Sequence, residues 1–144
     1  MTVSVHIVCP LCGGINRVPN NKLANGPKCG KCQEPLFGHS PQELTAANYK
    51  KVTTRNDIPV VVDFWAPWCG PCKAMAPAYE QAAKELEPRV RFAKLNTEQE
   101  PSIGSGLAIR GIPTLIVFAG GKEVARQSGA MPQAEIIRWV ESVL

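Results

Sequence analysis

The sequence predicts a mixed α/β domain over residues 39–144, with helices on both faces of a central sheet, preceded by a small cysteine-rich module over residues 1–38. Three observations lead to this fold class. Four of the six cysteines fall in the first part, which has few apolar side chains. In the second part, apolar runs typical of strands alternate with helical patterns. The chain then closes with two strands and a helix, an order that favours a mixed sheet.

Length and composition exclude several classes of protein. The chain has 144 residues, of which 44% are hydrophobic, so it can bury one core and carry a small appendage. It has no apolar run near the roughly 18 residues of a membrane span, and its start lacks the pattern of a secretory signal. We therefore expect a cytoplasmic monomer without a membrane partner. The formal net charge of +4 argues against the dense basic face of a nucleic-acid-binding protein.

The first module contains two C-x-x-C pairs separated by sixteen residues. The four cysteines are Cys9, Cys12, Cys29 and Cys32. Four thiolates at this spacing can surround one structural zinc ion, and so short a segment needs such a staple to fold. Iron in a four-cysteine site, four reduced cysteines and two labile disulfides are the alternatives. Gly13 and Gly30 are expected at tight turns that need a permissive backbone.

The second part begins after a predicted linker over residues 33–41. The stretch PQELT, residues 41–45, predicts a short edge strand, and Thr45 is expected to cap a helix over residues 46–54. The run IPVVVDFW, residues 58–65, is apolar enough for a strand that is buried on both faces.

Strand and helix patterns continue to the end of the chain. The residues after Cys69 place apolar side chains on one face of a helix. We expect a strand over residues 90–96 and a short helix or turn over residues 97–109. Two apolar runs around Gly120–Gly121 predict an antiparallel hairpin, and a last helix follows Pro132.

A third C-x-x-C pair, Cys69 and Cys72, lies between the buried strand and the long helix. It has no second pair with which to complete a four-ligand metal site. At a helix start, unpaired N–H groups and the helix dipole stabilise a thiolate at Cys69. Pro71 is tolerated because the first turn needs no backbone donor, and Trp68 offers an apolar rim. This pattern predicts thiol–disulfide exchange.

The segment VVVDFWAPWCGPCK, residues 60–73, resembles the active-site segment of the thioredoxin family. Further on, the strings KLN, IRGIPT and SGA fall where that family has matching pieces. The resemblance covers about residues 41–144. With the four-cysteine module in front, the whole chain resembles the zinc-containing thioredoxins, the second thioredoxin type of bacteria.

The resemblance implies a thioredoxin fold and a role for three residues. Cys69 would be the attacking thiolate, Cys72 the resolving thiol, and Asp63 the carboxylate behind them. Asp63 stands between Val62 and Phe64 in an apolar run, so we expect it to be buried.

The resemblance further implies a cis peptide bond before Pro113 and a surface that binds protein substrates. The expected docking residues are Trp68, Gly70, Pro71, Ile112, Pro113, Gly129 and Ala130.

The sequence therefore predicts a protein-disulfide reductase, a thiol–disulfide oxidoreductase that acts on disulfide-containing proteins. By resemblance, an NADPH-dependent flavoprotein reductase would recycle it, and the chain itself would bind no organic cofactor. Two alternatives stay open. One is a disulfide isomerase or oxidant, and the other is a redox-regulated zinc switch or holdase.

Overall fold

The structure, a computed structural model, describes residues 3–144 and contains two sheets. The smaller sheet is an antiparallel pair, β1 (Ser4–Val8) and β2 (Ile15–Pro19), followed by one 3-10 turn over Asn20–Lys22. Within residues 3–144, no helix combines the length and the apolar character needed to cross a membrane.

The larger sheet has five strands in the order β3-β5-β4-β6-β7. Their bounds are β3 (Gln42–Leu44), β4 (Val60–Trp65), β5 (Arg91–Asn96), β6 (Thr114–Ala119) and β7 (Lys122–Ser128). Strands β3 and β4 run parallel to β5, whereas β6 is antiparallel to β4 and β7 is antiparallel to β6. The predicted mixed sheet, its short edge strand and the hairpin around Gly120–Gly121 are confirmed.

Four helices cover the two faces of this sheet. They are α1 (Tyr49–Arg55), α2 (Gly70–Leu86), α3 (Pro101–Gly106) and α4 (Gln133–Ser142). Tyr79 of α2 and Ile136 of α4 pack on one face with Val61, Phe92 and Leu115 of the sheet. Residues of α1 and α3 pack on the other face, which the alternate residues of the same strands form.

Helix α1 begins later than the sequence predicts, and the prediction that Thr45 caps it is wrong. Residues 45–48 form a turn of their own, in which the Asn48 Oδ1 atom accepts from the Thr45 N–H at 2.7 Å. The Thr45 hydroxyl accepts instead from the Ala47 N–H at 3.2 Å. Side-chain bonds of this kind compete with the first helical turn, so the helix starts at Tyr49.

The N-terminal module shares apolar packing with the five-stranded domain. Ile58, just before β4, packs in one cluster with Ile7 of β1 and with Leu36. Val8, the last residue of β1, belongs to the core beneath α1. Leu36 lies inside the predicted linker and is fully buried. The module is therefore attached to the larger domain through β1 and the segment around Leu36.

Polar contacts join the same two parts. The Asp57 N–H donates to the His6 carbonyl at 2.9 Å, and the His6 N–H donates to the Asp57 carboxylate at 2.6 Å. Arg91, at the start of β5, is only 2% exposed, and its Nη2 atom donates to the Leu36 carbonyl at 2.8 Å. The Arg91 guanidinium also lies 4.5 Å from the centre of the Phe37 ring.

Asn56 provides the most testable of these contacts. Its buried side chain accepts from the Val8 N–H and donates to the Val52 carbonyl, both at 2.9 Å. Asn56→Ala leaves both backbone groups without their partner, so we expect a loss of about 1–3 kcal/mol in the free energy of unfolding. Urea unfolding measures it. Asn25→Ala, at an exposed turn, is the matched control, and equal stability of the two variants would contradict the assignment.

Candidate functional site

Cys69 and Cys72 lie where β4 passes into α2. Their sulfur atoms are at bonding distance and form a disulfide, with the two Cα atoms 5.3 Å apart. Cys69 is the N-cap of α2, and its sulfur accepts from the Cys72 N–H at 3.2 Å. Both side chains are buried. In the reduced protein, the same N–H group and the helix dipole favour a thiolate at Cys69.

The loop before β6 lies against this disulfide. The Ile112 carbonyl oxygen is 3.8 Å from the Cys69 sulfur, and Ile112 packs with both cysteines. The Ile112–Pro113 peptide bond is cis, as the resemblance implies. The Gly129 N–H donates to the Pro113 carbonyl at 2.9 Å, which brings Gly129 and Ala130 to the same side.

A groove runs beside the disulfide. Its lining includes the expected docking residues Trp68, whose side chain is 69% exposed, and Ile112. Thr97, Arg110 and Gly111 also line it and were not among the predicted docking residues. The feature of the sequence that could have identified them is their position in or next to the strings KLN and IRGIPT. The other expected docking residues lie outside this groove; Gly70, Pro71, Gly129 and Ala130 are exposed, and Pro113 is buried.

Asp63 lies in the middle of β4 on the sheet face that α2 covers. It is 4% exposed, which confirms its predicted burial. Burial raises the pKa of Asp63 to about 7; Lys94 partly offsets the rise and Glu43 adds to it. One carboxylate oxygen, Oδ1, has no hydrogen-bond partner among the described residues. The charged form of this carboxyl is therefore costly in the fold.

Two further polar side chains share this face. Glu43 on β3 and Asp63 on β4 are both in register with Lys94 on β5. The Trp65 Nε1–H donates to the Glu43 Oε2 atom at 3.4 Å, and the Lys94 ammonium lies 5.0 Å from the centre of the Trp65 ring. The place of Glu43 beside these residues was not predicted, because its neighbours are set by strand register and not by sequence spacing.

The four cysteines of the N-terminal module come together. Their sulfur atoms all lie within 4.8 Å of one another. The Cys9–Cys32 sulfur distance is 3.7 Å and the Cys12–Cys29 distance is 3.6 Å. Sulfurs about 2.3 Å from a tetrahedral zinc ion stand roughly 3.8 Å apart, so this donor set fits the ion.

Backbone N–H groups surround these sulfurs. The Leu11 N–H points to Cys9, the Gly14 N–H to Cys12 and the Lys31 N–H to Cys29, each at 3.4 Å. The Asn16 amide adds a fourth such contact, to the Cys29 sulfur at 3.4 Å, and accepts from the Gly30 N–H at 2.8 Å. Donors of this kind stabilise thiolates and hold metal ligands in place. This role of Asn16 is not predictable from the cysteine spacing alone.

The two knuckle turns use different residues for the same backbone conformation. Gly13, directly after Cys12, has a φ of +76°, as expected. The corresponding residue of the second knuckle is Gln33, directly after Cys32, with a φ of +69°. The prediction that Gly30 fills this role is wrong, because Gly30 occupies the inner position that Pro10 fills in the first knuckle.

Comparisons with known families match both parts of the chain. The model described as Thioredoxin matches residues 40–142. A zinc-ribbon model described as Thioredoxin 2, N-terminal, matches residues 8–34.

Individual relatives agree with these matches. Thioredoxin C-3 of Corynebacterium nephridii is 45% identical over 138 residues, which cover 96% of this chain and 94% of that protein. The chloroplastic M-type thioredoxin of Chlamydomonas reinhardtii is 45% identical over 67% of this chain and 69% of its own length. Thioredoxin 1 of a Nostoc species is 39% identical over 71% of this chain and 95% of its own length.

The raised pKa of Asp63 leads to a prediction about stability. Between the unfolded pKa of about 4 and the folded pKa of about 7, the folded state holds a proton that the unfolded state has lost. Asp63 therefore lowers stability as pH rises through this range, and the loss then levels off. Asp63→Asn should raise the free energy of unfolding of the oxidised protein by about 1–4 kcal/mol at pH 7.5, with little gain at pH 4.

Asp57, the only other aspartate, is the control. The His6 N–H lowers the pKa of Asp57, so its contribution is present above the unfolded pKa and is lost in acid. Asp57→Asn should lower stability near neutral pH, the opposite sign. Urea unfolding at several pH values measures both. A loss of stability in Asp63→Asn at pH 7.5 would identify Asp63 as a structural hydrogen-bonding residue.

Proposed function

The chain belongs to the thioredoxin family, with the mixed α/β thioredoxin fold and an N-terminal zinc-ribbon domain, and on that premise we propose that it reduces protein disulfides through Cys69 and Cys72. The observation that carries the proposal is the cysteine pair itself. The two sulfurs are at bonding distance at the start of α2. The exposed Trp68 ring and the Ile112–Pro113 loop lie beside them.

The proposed reaction has two exchange steps. The Cys69 thiolate attacks one sulfur of the target disulfide, that bond breaks, and the other target sulfur leaves as a thiolate that takes a proton from water. Cys72, once deprotonated, attacks the Cys69 sulfur. The bond from Cys69 to the target breaks and the second target sulfur leaves in turn. Two electrons have then passed from the dithiol to the target, which is left as two thiols.

Asp63 is proposed as the acceptor of the Cys72 proton. A general base works best when its pKa is near the working pH, and burial brings the pKa of Asp63 to about 7. Asp63 lies on the sheet face beneath α2, and Cys72 is on the buried side of that helix. A water molecule between the two groups would serve equally well as the path of the proton.

Substrate is proposed to bind across the exposed rim of the site. Trp68, Gly70 and Pro71 would contact the target from one side, and Ile112, Pro113, Gly129 and Ala130 from the other. The bond from the Gly129 N–H to the Pro113 carbonyl supports this arrangement, because it fixes the second group of residues relative to the disulfide.

The N-terminal module is proposed to hold one zinc ion through Cys9, Cys12, Cys29 and Cys32. The ion would supply structural cross-linking, since four protein ligands leave no position for a substrate. The fit of the sulfur spacing to a tetrahedron supports the ion. The division into residues 1–38 and 39–144 is retained as a proposal.

Family membership also supports two proposals about the cellular setting. We propose that an NADPH-dependent reductase of thioredoxins returns the two electrons after each cycle. We propose that the protein works in the reducing cytoplasm, because the metal site would keep its thiolates there and the reductase would be present. We also propose that it acts as a monomer.

The order of attack is testable with two serine variants. Cys69→Ser removes the attacking thiolate and should abolish insulin reduction. Cys72→Ser keeps the first step and should accumulate a stable mixed disulfide, visible by mass spectrometry and released by dithiothreitol. Adducts that form on Cys69→Ser, or normal turnover by Cys72→Ser, would reverse the assignment.

The metal proposal predicts about one zinc per chain in freshly purified reduced protein, measured by elemental analysis. Cys29→Ser should lose most of the zinc, whereas the matched control Cys69→Ser should keep it. Metal removal should speed amide hydrogen exchange in β1 and β2 and leave most of β4, β5 and β6 protected, because the sheet face under α2 and α4 has a core to which the N-terminal module contributes no residue. Protein without metal, or with iron in place of zinc, would contradict the proposal.

A further inference from the structure

We propose that Glu43 is a positioning residue for the disulfide reductase, because through Lys94 it sets the pH range in which Asp63 accepts the Cys72 proton. This inference rests on the proposed function. It gives a role to a carboxylate on the edge strand that does not touch the cysteines.

The strand register carries the proposal. Glu43 on β3 and Asp63 on β4 are both partners of Lys94, which lies on the strand between them. Neighbouring strands are about 4.8 Å apart, so the backbones of the two carboxylates are roughly 10 Å apart on one face. Lys94 therefore lies between the two acidic residues in the sheet, in a partly buried setting where charges act over such distances.

Trp65 fixes the outer half of this row. Its Nε1–H donates to the Glu43 Oε2 atom at 3.4 Å, and its ring lies 5.0 Å from the Lys94 ammonium. Within residues 3–144, the Lys94 ammonium has no carboxylate oxygen within salt-bridge distance. Lys94 is thus shared between the aromatic ring and the two acids and is not bonded to Asp63.

The other groups around Asp63 carry no competing charge. On α2, the buried ionisable side chains are Cys72 and Tyr79, and the Tyr79 hydroxyl donates to the Ala93 carbonyl at 2.6 Å. The partner of Asp63 on β6 is Leu115, and α4 buries apolar side chains. With Cys69 and Cys72 joined as a disulfide, Lys94 and Glu43 are therefore the charges in the described part of the chain that act on Asp63, with opposite signs.

The sign of the Glu43 effect follows from these positions. Its negative charge repels a charge on Asp63 directly, and it also attracts the ammonium that would otherwise stabilise that charge. Both effects keep Asp63 protonated to higher pH. Burial alone already pushes in that direction, and Glu43 extends it, so Asp63 gains its charge, and with it the capacity to accept a proton, only near neutral pH.

The test is Glu43→Gln in the full chain. The amide oxygen can still accept from Trp65, so the packing is kept and only the charge is removed. The Asp63 carboxyl, followed by carbon-13 NMR, should titrate about half a pH unit or more below its midpoint in the unchanged protein. Single-turnover reduction of a protein disulfide should then be about threefold faster at pH 6 and unchanged at pH 8.5.

Two comparisons make the outcome decisive. Glu85→Gln, an exposed position near the far end of α2, should leave the Asp63 midpoint where it is. In a Lys94→Met background, the effect of Glu43→Gln should fall to half or less, since part of the path is gone. An unmoved Asp63 midpoint in Glu43→Gln, or an undiminished effect without Lys94, would overturn the inference. Failure of the unchanged protein to reduce disulfides would instead overturn the proposed function, and the NMR titration would still decide the role of Glu43.

Discussion

The pairing of β4 with both β5 and β6 is the constraint on which the candidate redox site depends. As the central strand, β4 is covered on both faces, so any polar side chain within it loses water. Asp63 is that side chain, and its pKa is raised because its position in the central strand buries it. The chain passes from the end of β4 to the start of α2. The cysteine pair therefore lies at the carboxyl end of the central strand, with the buried Asp63 behind it.

A second constraint links the metal module to the sheet. Val8 is buried in the sheet core, while the next residue, Cys9, is one of the four clustered cysteines. Arg91 starts β5 and reaches the carbonyl of Leu36 and the ring of Phe37. Changes in the four-cysteine cluster therefore reach the packing of the larger domain through short, buried connections, although the cluster and the disulfide belong to different parts of the fold.

Sequence patterns predict the elements well because the apolar periodicity of the strands and of α2 reflects their burial directly. The burial of Asp63 was predictable from its apolar neighbours in β4. The influence of Glu43 was not, since it depends on which residues stand side by side in β3, β5 and β4. The start of α1 was predicted too early because local side-chain hydrogen bonds form a separate turn before it. The permissive turn position of the second knuckle was expected at Gly30, but it falls on Gln33, one residue after the second cysteine of the pair.

The burial of Val8 and Ile7 also bears on how the two-part architecture can change during evolution. Deleting the cysteine-rich segment from this chain would leave unfilled volume next to Val52 and Ile58, together with an uncovered Arg91. Each emptied site of this size costs about as much as a core truncation. A descendant lacking the ribbon would therefore need larger side chains at these positions. Conversely, a single-domain relative would need smaller side chains there before its surface could accommodate a ribbon.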